Sequence, residues 1–100
     1  MIETLSDPLV QKIDIVMPGR LGFQLRLAVQ FAQYVLKFRS AIKVRNGKIL
    51  ANGKRLFGLL ILAATWKSKL EIDAVGDDAV QAINGIKEYF NRESVSISRG

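Results

Sequence analysis

The sequence predicts an α+β open-faced sandwich: a four-stranded antiparallel sheet with three helices on one face, in the order β-α-β-β-α-β-α. Three observations carry this. Apolar and polar residues alternate around positions 12–17, 41–45 and 69–75, the period of half-buried strands. The segments between and after them place apolar residues at helical spacing. Two Asn-Gly pairs, strong hairpin signals, punctuate the middle of the chain.

Each element follows in order. Ile13, Ile15 and Met17 alternate with Lys12, Asp14 and Val16 to make the first strand, which Pro18-Gly19 and Gly22 break. From Leu25 onward, Leu27, Ala28, Phe31, Ala32, Val35 and Leu36 follow a helical stripe that ends near Phe38. Ala41 to Arg45 alternates again, Asn46-Gly47 turns the chain, and Lys48 to Ala51 returns. Asn52-Gly53 then precedes a helix from Arg55 to Leu62. In the strand Lys69 to Val75, Leu70, Ile72 and Ala74 face inward, and Glu71 and Asp73 face out. Gly76 turns the backbone, and Asp77 or Asp78 is expected to cap the last helix with its carboxylate. Ala79, Ala82, Ile83, Ile86 and Phe90 form that helix's buried stripe, where Gly85 costs roughly 1 kcal/mol against Ala. The tail from Ser94 reads as frayed, although its alternation permits a short added strand.

Composition excludes several functions. With Cys 0 and His 0, the chain has no disulfide, no thiolate, none of the usual zinc ligands and no imidazole base. No metal or cofactor site, close carboxylate pair or nucleotide loop is recognisable, so an enzyme is not expected. The longest apolar run, Leu56 to Ala64, is far shorter than the roughly 20 residues of a membrane span. Glu3 and Asp7 near the start do not fit a secretory signal, and a cytoplasmic protein without membrane contact is expected. The net charge is +6, and no acidic residue occurs between Asp14 and Glu71. Such an interval favours an anionic partner. Tyr34 and Trp66 are isolated aromatics and read as packing residues.

The run Gly22-Phe23-Gln24-Leu25-Arg26-Leu27-Ala28-Val29-Gln30-Phe31, after a strand and a Gly-containing turn, resembles the site of HPr. HPr is the histidine-containing phosphocarrier of bacterial sugar phosphotransferase systems. Asn46-Gly47-Lys48, Lys54, Leu56-Phe57 and the Gly76-Asp77 turn fit the same family. The resemblance covers about residues 11–90, leaving 1–10 as an N-terminal extension and 91–100 as a C-terminal tail. It implies a phosphocarrier site in which Gln24 occupies the position of the family's histidine and Leu27 that of its proline. A glutamine amide delocalises its nitrogen lone pair and is no nucleophile at neutral pH, so the family's chemistry is not available at Gln24. What the resemblance leaves is the anion-binding half, with Arg26 at the place of the family's arginine, on the first turn of a helix. The regulatory serine that some members carry is replaced by Arg55.

In the family the starts of the first two helices share a partner-docking surface. Carried over, that surface comprises Arg20, Phe23, Leu25, Arg26, Leu27, Lys54, Arg55 and Phe57. The expected function is a protein-interaction or regulatory module related to the phosphotransferase system, binding a protein with acidic and apolar groups. A catabolite-repression paralogue of HPr that has glutamine for histidine is a precedent, although it keeps the serine lacking here. Nucleic-acid binding by the basic interval is the second reading. It ranks lower because exposed aromatics at strand spacing are missing. Monomer and weak dimer both remain open.

Overall fold

The computed structural model describes residues 9–64, 69–93 and 95–98. Eight elements follow in chain order. They are β1 (Val10–Val16), α1 (Leu21–Val35), β2 (Ala41–Asn46), β3 (Ile49–Asn52), α2 (Leu56–Ala64), β4 (Lys69–Val75), α3 (Ala79–Arg92) and β5 (Ser96–Ser98). The strands form one antiparallel sheet in the order β3-β2-β4-β1-β5. The α+β class, the three helices and the element order agree with the sequence reading. The strand count does not. The tail adds a fifth strand, because Ser96 and Ile97 find the free edge of β1, pairing with Val16 and Ile15. Ile97 packs on the core as it does so. Trp66 lies outside the described residues, as does most of the N-terminal extension.

The register explains the layers. Ile13 lies opposite Ile72, which lies opposite Val44, and Ile42 opposes Ala74 in the same way. Side chains alternate across a strand, so these rows share one face. They are buried beneath the helices, as are Ile15 and Leu70. The other face is open and carries Lys12, Asp14, Lys43, Arg45, Glu71 and Asp73. Asp14 and Glu71, like charges directly opposite, are each relieved by a cation: Lys69 reaches Asp14 at 3.4 Å and Arg45 reaches Glu71 at 3.3 Å. Much of the basic charge of β2 is therefore answered by acids of β4.

α1 starts one turn earlier than its apolar stripe, at Leu21, because Gly22 and Gln24 are helical here. Arg26 consequently stands in the second turn, not the first. α1 packs beside α2, α2 lies over β3, and α3 covers β1 and β4. Gly53 allows the chain to pass close to the core, since a Cβ there would sit 2.7 Å from the Ile42 side chain. Gly85, which helix propensity alone counts as a fault, makes room for the Tyr34 hydroxyl and the Phe38 ring. Tyr34 stacks on Tyr89, and Phe31 on Phe90, joining α1 to α3.

Asp78 does not cap α3 with its side chain. Its carboxylate instead accepts from the Arg39 and Ser40 backbone N–H groups, both at 2.8 Å, and from the Ser40 hydroxyl. Asp77 pairs with the Arg39 guanidinium at 3.0 Å. The acidic pair thus pins the loop between α1 and β2 to the start of α3. These bonds, led by the Ser40 hydroxyl and the Arg39 amide, hold the Asp78 carboxyl down at about 2, with burial opposing them.

Two tests follow from this loop lock. Gly76 has φ +153°, and a Cβ there would meet the Ser40 Cα at 2.7 Å. Gly76→Ala should therefore lower unfolding free energy in denaturant by about 1–3 kcal/mol. A carboxyl whose folded pKa is depressed contributes stability above its unfolded pKa and loses it as pH falls through the folded one. Asp78 should accordingly weaken the protein between about pH 4 and about pH 2. Asp78→Asn should flatten the fall of Tm across that window, measured by circular dichroism.

Candidate functional site

The start of α1 gathers the residues that the sequence singles out, and sorts them into surface and core. Arg20 precedes the helix in extended conformation, φ −116° and ψ 114°, and its carbonyl accepts the Gln24 amide at 2.9 Å. Phe23 is half-buried, with the Arg20 guanidinium 5.7 Å and the Arg26 guanidinium 5.1 Å from its ring centroid. Contacts of this kind contribute about 0.5–1 kcal/mol each when exposed. They hold two cations around one aromatic ring. Leu25 is partly buried and packs on the core.

Gln24 turns inward. It is 4% exposed, and its Nε2 donates to the Pro18 carbonyl at 2.6 Å. The side chain thereby ties the loop after β1 to the helix that follows. Leu27, expected on the docking surface, is fully buried and is withdrawn from it. Helical geometry forces the choice, since Leu25 and Leu27 cannot face the same way and the core takes Leu27. The Leu27 carbonyl accepts from the Tyr89 hydroxyl at 3.1 Å, which binds α3 to α1. Burial, aided by the Glu93 charge, pushes the Tyr89 phenol well above its ordinary range, so it donates that bond at any physiological pH.

Arg26 stays on the surface. Its guanidinium donates to Gln30 Oε1 at 3.0 Å and pairs with Glu93 at 3.2 Å. The Arg26 side chain is 48% exposed, and surface pairs of this kind contribute about 0–1 kcal/mol. An incoming carboxylate or phosphate can therefore exchange with Glu93 at little cost. Next to this pair, Gln30, Gln33, Tyr34, Tyr89, Arg92 and Glu93 line an open groove of about 490 Å³. Glu93 was invisible to sequence reasoning because 67 residues separate it from Arg26. No group of His, Cys, Asp and Glu suited to a metal ion occurs among the described residues.

The second helix contributes differently from expectation. Lys54, expected at the docking surface, is partly buried, and its amine donates to the Phe38 carbonyl just beyond the end of α1. Its backbone N–H bonds the Asn52 side chain at 2.9 Å. Lys54 is thus a brace between loops. α2 accordingly starts beside the end of α1 rather than beside its start, because β1 and β3 run to opposite ends of the sheet. Arg55 is exposed, and its carbonyl accepts the Leu59 amide at 3.1 Å, so it stands immediately before the first turn of α2. Phe57 is 81% exposed.

An antiparallel sheet under three helices, with a Gly-aromatic-x-x-Arg start to α1, defines a small α+β protein of the phosphocarrier type. The family model described as the PTS HPr component phosphorylation site matches residues 11–92. The chain belongs to the HPr family. It is 30% identical over 83 residues to the phosphocarrier protein HPr of Neisseria meningitidis, covering 83% of this chain and 91% of that protein. It is also 39% identical over 88 residues to a multiphosphoryl transfer protein of Rhodobacter capsulatus, 88% of this chain but 10% of that protein. Among solved structures, a Mycoplasma histidine-containing phosphocarrier protein is similar with a TM-score of 0.76 and 26% identity. That match covers 90% of this chain and 100% of the other.

The inward position of Gln24 has a measurable consequence. Gln24→Met keeps the side-chain length and removes the bond to Pro18, and should cost about 0.5–1.5 kcal/mol in denaturant unfolding. A residue that served only as a surface contact would leave stability unchanged.

Proposed function

We propose that this HPr-family protein does not carry phosphate and acts as a docking module in a phosphotransferase system. One observation carries the reading: where the family has its phosphorylated histidine, this chain has a non-nucleophilic Gln24, buried and bonded to the Pro18 carbonyl. The neighbouring Arg20, Phe23 and Arg26 remain exposed or half-exposed, with Leu25 alongside. An aromatic ring between two guanidinium groups suits a partner presenting acidic and apolar side chains. Arg55 and Phe57 are exposed too, at the start of α2. With Arg55 where some relatives carry a regulatory serine, phosphorylation of that position is unavailable. Cytoplasmic phosphotransferase components are the partners this reading favours.

Nucleic-acid binding is the weaker reading. The basic residues of the acid-free interval do not share one surface, and Arg26, Arg39, Arg45 and Lys69 are each paired with a carboxylate.

The test is a phosphoryl-transfer assay in which a multiphosphoryl transfer protein donates to a true HPr while this protein is added in excess. The chain should gain no phosphoryl mass and should slow transfer by competing for the donor's docking surface. Phe23→Ser with Arg26→Glu should weaken that inhibition at least about tenfold. Phosphorylation of the chain, or inhibition unaltered by the double variant, would overturn the proposal.

A further inference from the structure

The groove between α1 and α3 takes no part in the core or in the docking centre. Phe31 and Tyr34 of α1 meet Phe90 and Tyr89 of α3 through their rings, which hold the two helix backbones apart. Gln30 and Gln33 from one helix, and Arg92 and Glu93 from the other, line the space that this leaves. Its volume of about 490 Å³ falls within the roughly 300–1,000 Å³ of small-molecule sites. The groove is open to solvent, so a ligand is held there by polar contacts rather than by enclosure.

The polar groups of the lining are largely free to make such contacts. Arg26 donates to Gln30 Oε1 at 3.0 Å, which fixes that amide and leaves its Nε2 hydrogens without a partner among the described residues. The Gln33 amide and the Arg92 guanidinium make no hydrogen bond or ion pair among the described residues. Arg26 takes Oε1 of Glu93 and leaves Oε2 as an acceptor. The Tyr89 hydroxyl is engaged by the Leu27 carbonyl and offers nothing to the groove.

This set of groups selects a chemistry. Arg26 and Glu93 cancel, so Arg92 sets the remaining charge at one positive unit. A carboxylate matches that charge and accepts two parallel N–H bonds from a guanidinium. A phosphate dianion exceeds it and meets Glu93. Two amides and one carboxylate oxygen are left, and they suit hydroxyl groups, which accept and donate. A flat aromatic ligand finds no free ring to stack on. Tyr34 is stacked by Tyr89 and has the Lys37 ammonium 4.4 Å from its ring centroid, and Tyr89 itself is buried.

We propose that the groove binds a small aliphatic hydroxycarboxylate. Arg92 holds the carboxylate, the Gln30 and Gln33 amides donate to hydroxyl oxygens, and Glu93 Oε2 accepts from a hydroxyl. The site uses neither Arg20 nor Phe23 and does not rest on the protein-docking reading.

The experiment is a titration of nitrogen-labelled protein with D-gluconate at constant ionic strength, followed by two-dimensional NMR. It runs to about 20 mM, above the roughly millimolar dissociation constant of a weak site. Gluconate should shift the side-chain resonances of Gln30, Gln33 and Arg92 and should saturate. Sorbitol, which has the hydroxyls without the charge, and acetate, which has the charge without the hydroxyls, should each bind at least about tenfold more weakly. Arg92→Gln, at an exposed position and so compatible with folding, should weaken gluconate binding by a similar factor. Phe23→Ser, which disables the docking centre, should bind gluconate as wild type does. Absence of a saturable shift would overturn the proposal, as would wild-type affinity in Arg92→Gln. Equal binding of acetate or of inorganic phosphate would overturn it too, since charge alone would then suffice. Equal binding of sorbitol would remove the role of Arg92, and loss of binding in Phe23→Ser would place the ligand at the docking centre instead.

Discussion

β4 must satisfy two neighbours at once, and the rest of the molecule depends on that constraint. Its inner residues, Leu70, Ile72 and Ala74, meet β1 on one side and β2 on the other, so that three apolar rows line one face. A one-residue slip of register would turn every one of them to solvent. Its outer acids, Glu71 and Asp73, are placed by the same pairing between strands that carry lysine and arginine. The helices then have one floor to cover. The loops that bring them there are fastened by the Asp78 carboxylate and by Lys54, two residues whose work lies far from their own elements.

That floor decides the character of the site. Once the first turn of α1 lies on the core, Gln24 and Leu27 are drawn in and Phe23 and Arg26 are left out. Gln24 becomes a structural fastener between β1 and α1, while Arg26 stays on the surface, held by a pair that is cheap to exchange. The burial of Gln24 and the exposure of Arg26 are thus two results of one helix orientation. The second helix obeys a different logic. It is short and uniformly apolar, so its covered side does not distinguish it from its uncovered one. Only position in the fold makes Leu59 core and Phe57 surface.

The alternation around Ile13, Ile42 and Ile72 and the stripes of α1 and α3 were legible because burial on one face imposes a period that local sequence records. The place of Gln24 within an HPr-like motif was legible. Its burial was not, because Gly22 obscured the first helical turn and the stripe only begins with Leu25. Asp78 shows the limit of local rules: a carboxylate at a helix start reads as a cap, but two amides and a hydroxyl from a loop 38 residues away made a better offer. Gly85 shows the converse, a local cost that tertiary packing requires.

The sequence by itself determined the class, the order of elements, the inner rows of the sheet and the absence of any histidine to phosphorylate. All of these are properties of residue type and short period. The tertiary structure decided which residues of the motif face water, that Arg26 answers to Glu93, that the tail completes the sheet, and that the two helix starts lie at opposite ends of it. Each of those rests on contacts between residues distant in the chain, where register and strand direction choose the neighbours and no spacing records the choice.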